Sequence, residues 1–367
     1  LQLQKLVRNV YPNLTPYTCQ LADLPIEDLK KVLNKDKVYK LSFNESPLGP
    51  SSKVIEAMQK SLLELNLYPD STGEELKEEI SRMEGIDKSQ LLLSNGADDL
   101  IVLLAQTFLE LEDEVIIPQI TFVQYLASTH LMGAKPVFAP MKPDLSIDLK
   151  AILERITEKT KLIFLCNPNN PTGTIIPDSE IEAFLQEVPS NVLVIIDEAY
   201  HEYADSEEYS SSVKYVDKGF PVFVVRTFSK IYSLAAVRIG YGIGDARVVD
   251  AIHHVRPPFN VNAVAQAGAL AALRDQEHVE QAIALNQKGK TQLYELFTEV
   301  GWKYINTNGN FIFVDMGRDS QEIFDSLAER GIIVRTLTGY GLEHSLRVSI
   351  GDEEGIHAFI QAIKEII

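Results

Sequence analysis

Between residues 90 and 245, short apolar runs rich in β-branched residues recur, each bounded by turn residues and set apart by stretches with helical spacing. LLLS (91–94), EVIIP (114–118), KLIFLC (161–166), VLVIID (192–197) and PVFVVRTF (221–228) are short and end in turn formers, which favours buried strands over buried helices. ADDLIVLLAQTFLE, between the first two, reads as a helix. Strands alternating with helices predict βαβ units, hence an α/β architecture with a mostly parallel central sheet flanked by helices.

The pattern changes near residue 257. VRPPFN (255–260) breaks regularity, and an Ala-rich stretch from 262 and a longer one reaching 299 read as two helices. FIFVDM, a helix, GIIVRT, SLRVSI and the terminal helix EEGIHAFIQAIKEII then form a shorter α+β pattern, as in a second, smaller domain. The expected organisation is an arm over 1–40, a large domain over 41–257 and a small domain over 258–367.

Composition narrows the function classes. Lys and Arg total 34 against 52 Asp and Glu, so the field of the whole chain repels polyanions and speaks against nucleic-acid partners. No run approaches the roughly 20 apolar residues of a membrane span, and the opening LQLQKLVRNVYPNL lacks the build of a secretory signal, so a cytoplasmic location is expected. Cys19 and Cys166 are too few for a disulfide framework and read as buried small hydrophobes. DEAYHEY (197–203) has no helical zinc-site spacing and His253 and His254 are adjacent in sequence, so no metal is expected. GlyTyrGlyIleGly (240–244) fails as a dinucleotide loop, because the third glycine of that motif would fall at Asp245.

Three segments carry chemistry. Lys230 follows a buried strand in TFSKIYSLAAVRIGYG (227–242), with hydroxyls at Thr227 and Ser229; alone, such a lysine reads as a solvated loop charge. Asp197 ends another buried strand, where open α/β sheets bind ligands, although an aspartate there also suits a helix cap. CNPNNPTG (166–173) puts two Asn-Pro units, and therefore a turn, directly after the strand KLIFLC.

In order and spacing, Asn-Pro-Thr-Gly, Asp with Tyr three residues on, and Ser-Lys with Arg eight residues after the lysine resemble the fold-type I pyridoxal-phosphate-dependent aminotransferases. The resemblance implies pyridoxal 5'-phosphate held as an imine on Lys230, with Asp197 keeping the cofactor's ring nitrogen protonated so that the ring can accept electrons. It assigns Tyr200 and Asn170 to the cofactor's phenolic oxygen. The cofactor phosphate falls to the backbone amides of Ala97 and Asp98, at a strand-to-helix turn whose dipole favours anions, and to Thr227, Ser229 and Arg238. Phe122 matches the ring that stacks on the cofactor, with core packing as its plainer reading and Tyr125 as a rival for the stack.

LTPY (14–17), LSFNESPLGPS (41–51), YPD (68–70) and RTLTGYGLEHSLRVSIG (335–351) further resemble the histidinol-phosphate aminotransferases, over nearly the whole chain. That likeness implies an amino donor and a 2-oxo acid as substrates, with a role in histidine biosynthesis. It places Arg347 on the carboxylate of glutamate, Arg335 on a second anion contact and Tyr17 at the substrate mouth; surface ion pairs are the alternative for both arginines. Tyr68 matches a tyrosine that reaches the cofactor phosphate of the other subunit, implying a homodimer with shared active sites. Two departures lie near the substrate entrance, where Ser46 interrupts Asn-Glu-Asn-Pro and Cys19-Gln20 replace Pro-Gly. They keep open an aromatic-amino-acid aminotransferase and, more remotely, a phosphothreonine decarboxylase. A non-catalytic regulator on the same fold is disfavoured by the presence of Lys230, Asp197, Tyr200, Asn170 and Arg238.

Overall fold

The computed structural model describes residues 5–14 and 21–367. In chain order its strands are β1 (Tyr39–Lys40), β2 (Leu91–Ser94), β3 (Glu114–Pro118), β4 (Lys135–Ala139), β5 (Thr160–Cys166), β6 (Leu193–Asp197), β7 (Val222–Thr227), β8 (Gly240–Gly244), β9 (Lys303–Tyr304), β10 (Phe311–Asp315), β11 (Ile332–Ile333), β12 (Arg335–Leu337) and β13 (Leu342–Ser349).

A seven-stranded sheet runs in the order β2-β8-β7-β6-β5-β3-β4. The pairs from β7 to β4 are parallel, whereas β8 lies antiparallel to both β2 and β7. The expected runs form strands because both faces are covered. Leu162, Phe164, Ile195, Phe223 and Val225 enter one hydrophobic core, while their neighbours Ile163, Leu165, Val194, Ile196 and Val224 enter the other. Each such fully buried side chain stabilises the fold by about 1.5–3 kcal/mol relative to exposure. That double burial explains runs without polar alternation.

GlyTyrGlyIleGly is the strand β8, and its glycines have a packing cause. A Cβ on Gly242 or Gly244 would lie 2.3 Å or 2.4 Å from atoms of the Phe223 ring on the neighbouring strand. The ring fills the space that side chains would need.

The second sheet is antiparallel in the order β12-β13-β10-β9, and β1 pairs in parallel with β11. Its core gathers Leu293, Leu296, Phe297, Ile312, Val314, Leu346, Val348 and Phe359. Ala22, Leu29, Val38 and Leu41, from the segment read in sequence as an arm and its boundary, belong to this core. The helix Ala263–Leu273 instead places Ala265, Ala269 and Ala272 in the core of the large sheet. Residues 42–44 cross between the two sheets, which is where the candidate site forms.

Candidate active site

The carboxyl ends of β5, β6 and β7 lie side by side, with Cys166 in register with Asp197 and Asp197 with Val225. This is the edge at which open α/β sheets bind ligands. Asp197 is only 3% exposed; it accepts hydrogen bonds from the Tyr125 hydroxyl at 2.7 Å and from the Ala199 N–H at 3.0 Å. Burial raises its carboxyl to about 6, against the lowering effect of those two donors. A buried carboxylate with two neutral donors and, among the described residues, no cationic partner is disposed toward a positively charged group.

Lys230 sits in the turn after β7, and its Nζ donates to the Phe43 carbonyl at 3.0 Å. Burial first, and the Arg347 guanidinium second, lower the amine to about 8. Roughly a tenth of it is neutral at pH 7, far more than of an ordinary lysine, which makes it a competent nucleophile. The amine stands 5.8 Å from the centre of the Tyr200 ring. Burial pushes the Tyr200 hydroxyl up, and that hydroxyl accepts from Asn44 Nδ2 at 3.0 Å.

Opposite them is a cradle for an anion. Gly96, at φ +92°, caps the helix Ala97–Phe108, whose first-turn amides include those of Ala97 and Asp98. A Cβ on Gly96 would stand 2.6 Å from Arg238 Nη2, so only glycine lets the guanidinium lie against the helix start. Arg238 Nη1 donates to Ser229 Oγ at 3.4 Å, and the Ser229 N–H donates to Thr227 Oγ1 at 3.1 Å. Asp98 Oδ2 accepts from Arg238 Nη2 at 3.3 Å, so the carboxylate partners the arginine. Helix amides, two hydroxyls and a guanidinium are the donor set of a phosphate site.

The second sheet supplies the arginines, and Arg335 and Arg347 are cross-strand partners on β12 and β13. Arg347, 9% exposed, donates from Nη1 to Asn170 Oδ1 at 2.6 Å and from Nη2 to the Ser42 carbonyl, above the Phe311 ring at 5.6 Å. Arg335 donates to Asp23 Oδ1 at 2.8 Å and lies 5.5 Å from the Phe43 ring. Asn170, which precedes a cis peptide bond to Pro171, is therefore held on Arg347.

Phe122 is half-buried at the site, edge-on to Tyr125 with ring centres 5.7 Å apart. Tyr125 is no rival for a cofactor stack, because it is fully buried, stacked on Phe164 at 4.5 Å, with its hydroxyl committed to Asp197. Tyr68 is 82% exposed and stacks on Phe259 at 4.7 Å, away from Lys230's own surroundings. Tyr17, like Cys19 and Gln20, lies outside the described residues. Cys166 is buried, and burial pushes its thiol up.

The acidic segment after Asp197 points elsewhere. Glu198 is fully buried and pairs with Arg226 at 2.7 Å, while His201 Nδ1 lies 3.0 Å from the Tyr209 hydroxyl and burial lowers the imidazole to about 4. Among the described residues no group of three His, Cys, Asp or Glu could hold a metal ion.

Sequence reasoning missed Asn44 as a site residue. Asn44 adopts φ +55°, takes Ser349 Oγ on its N–H at 2.8 Å and on its Oδ1 at 2.7 Å, and accepts Asn310 Nδ2 on its carbonyl at 2.9 Å. With its backbone pinned, its amide holds the Tyr200 hydroxyl. Asparagine's tolerance of positive φ was the only local signal.

The family profile "Aminotransferase class I and II" matches residues 36–363. The histidinol-phosphate aminotransferase of Moorella thermoacetica is 42% identical over 344 residues, covering 94% of this chain and 89% of that protein. That of Caldicellulosiruptor saccharolyticus is 40% identical over 360 residues, covering 98% and 99%. Among solved structures, the histidinol-phosphate aminotransferase of Sinorhizobium meliloti in complex with pyridoxal-5'-phosphate superposes with a TM-score of 0.86 at 24% identity, covering 96% of this chain and 99% of that one.

Proposed function

The chain belongs to the class I and II aminotransferases, and on that premise we propose that it moves the amino group of histidinol phosphate to 2-oxoglutarate, giving imidazole acetol phosphate and glutamate, with pyridoxal 5'-phosphate as cofactor. The observation that carries this reading is the convergence of Lys230, Asp197 and the Gly96–Arg238 cradle on one edge of the sheet. The names and coverage of the relatives support the choice of amino donor.

The residues present fit the cofactor. The cradle suits its phosphate, the buried carboxyl of Asp197 suits its cationic ring nitrogen, and the amine of Lys230, lowered to about 8, suits its aldehyde. Thr227, Ser229, Arg238 and the amides of Ala97 and Asp98 would hold the phosphate, and Phe122 would cover a ring face. When bound, the cofactor supplies an electron-poor ring that stabilises negative charge at the substrate's α-carbon.

The protein's own groups do the rest. The Lys230 amine would take and return the substrate's α-proton, a role for which its lowered basicity is suited. Tyr200, fixed by Asn44, and Asn170, fixed by Arg347, hold the phenolic oxygen. Arg347 offers a guanidinium for the carboxylate of glutamate or the phosphate of the other substrate. Arg335 would contact the distal anion after exchanging its bond to Asp23.

The test is a visible spectrum of the cofactor-loaded protein, before and after histidinol phosphate, with an aromatic amino acid in parallel. Conversion of the cofactor band to the amine form by histidinol phosphate is the expected result. Conversion by the aromatic amino acid alone would move the protein to that neighbouring specificity, and a protein that takes up no cofactor would overturn the aminotransferase mechanism.

The same reading includes a homodimer with shared sites. Tyr68 closes an exposed apolar strip with Leu63 at 84%, Leu65 at 60% and Leu67 at 62% exposure, the kind of surface that a partner covers. Tyr68→Phe is expected to weaken cofactor retention roughly tenfold, the scale of one hydrogen bond to a charged group. Equilibrium dialysis checks this, and unchanged retention would place Tyr68 outside the site.

A further inference from the structure

We propose that a cleft whose lining does not include the catalytic lysine, between the helix Glu74–Glu84 and the segment 253–260, binds a small inorganic anion through Lys77, Arg256 and His253. The cleft opens to solvent and is floored by Leu92 and Leu93 of β2. Lys77, on the second turn of its helix, is only 8% exposed, yet its ammonium makes no hydrogen bond or ion pair among the described residues. A long cation buried without a partner is costly; burial lowers the Lys77 amine, and a counter-ion would offset the same cost while keeping the charge.

The two carboxylates that face Lys77, Asp70 and Glu74, are already committed, while Asp250 faces His253 and Asp99 faces Arg256. Asp70 Oδ1 accepts from the Thr72 N–H at 2.9 Å and Thr72 Oγ1 at 2.7 Å, and its Oδ2 accepts from the Glu74 N–H at 2.7 Å. Glu74 pairs with Lys88. Neither carboxylate forms a bond to Lys77, so they soften the local potential without satisfying the ammonium.

The other two polar walls also offer donors. Arg256 Nε donates to His253 Nδ1 at 3.2 Å and its Nη1 donates to Asn260 Oδ1 at 2.6 Å, which among the described residues leaves Nη2 without a hydrogen bond. A neutral His253 that accepts at Nδ1 carries its proton on Nε2. Burial, then Lys77 and Arg256, hold that imidazole below its usual range. In a chain of net charge −18, cationic and N–H donors converge here on a cleft that a chloride, bromide or phosphate ion can enter. Occupied, the site would tie the helix and the 253–260 segment to β2, whose last residue leads into the Gly96 turn. Asn260 Nδ2 already reaches the Leu93 carbonyl at 3.3 Å on that side.

The site stands independently of the aminotransferase reading, and its test uses the cofactor-loaded protein so that the phosphate cradle is filled. In crystals soaked in sodium bromide, an anomalous peak is expected within hydrogen-bond distance of Lys77 Nζ. In solution at fixed ionic strength, replacing gluconate by inorganic phosphate is expected to raise Tm saturably by about 2–4 °C, the scale of a ligand that binds only the native state. Lys77→Met should lose that rise and Lys77→Arg should keep most of it. A structure with no halide at Lys77, or with a carboxylate of a second copy seated on its amine, overturns the proposal. So does an increment that Lys77→Met leaves intact; should that variant not fold, the bromide position alone decides.

Discussion

Lys230→Ala is expected to lower kcat by on the order of 10⁴-fold, because one side chain serves both as the covalent anchor and as the general base. Folding should survive. Among the described residues the ammonium's one hydrogen bond is to the Phe43 carbonyl, and burial together with Arg347 already disfavours its charged form. Removing it takes a poorly solvated cation out of the site while freeing one carbonyl, two changes of opposite sign. Circular dichroism and a thermal melt establish the fold, and single-turnover kinetics with histidinol phosphate establish the loss. Turnover within a hundredfold of wild type by a folded variant would remove Lys230 from the reaction. The cofactor should still associate with the variant, less tightly, because Arg238, Ser229 and the helix amides remain.

Much of this site is legible in sequence, for a physical reason. Asp197 ends the apolar strand β6, and Lys230 lies three residues beyond β7, whose apolar run VFVV is followed by Arg226 and Thr227; such runs of buried strand locate both positions closely. Functional side chains at strand termini inherit that precision. β8 is harder to find because its glycines remove the side-chain pattern that marks a strand, and the compensating ring, Phe223, comes from a neighbour remote in sequence. Tyr125 shows the limit of a motif match. Its aromatic character suits a cofactor stack, but stacking on Phe164 and bonding to Asp197 depend on how three elements pack. Asn44 is the clearest case, since its role rests on partners at Ser349, Asn310 and Tyr200, all more than 150 residues away. No local window contains such an arrangement.

Asp197→Asn should separate the site's function from its stability. In the cofactor-free protein, burial raises the Asp197 carboxyl from 3.8 to about 6, so the folded state holds its proton more firmly than the unfolded state does. The sign follows from linkage: stability falls as pH rises between about 4 and 6, and above that window the full penalty persists. At about 1.4 kcal/mol per pKa unit, this costs roughly 3 kcal/mol at pH 7, which the neutral amide does not incur. The amide can still accept from the Ala199 N–H through its oxygen and donate to the Tyr125 hydroxyl through its nitrogen. Denaturation of the cofactor-free variant at pH 7 should therefore show stability equal to or above wild type, and at pH 4 that advantage should vanish. Activity should move the other way, with kcat down by about 10²–10³-fold, the scale of losing one preorganised electrostatic stabiliser. The opposite pattern, a destabilised variant at pH 7 with kcat within tenfold of wild type, would make Asp197 a structural cap for the turn at Ala199. Stability maintained with activity lost is the behaviour of a charge placed for chemistry, held in a buried position that folding alone does not favour.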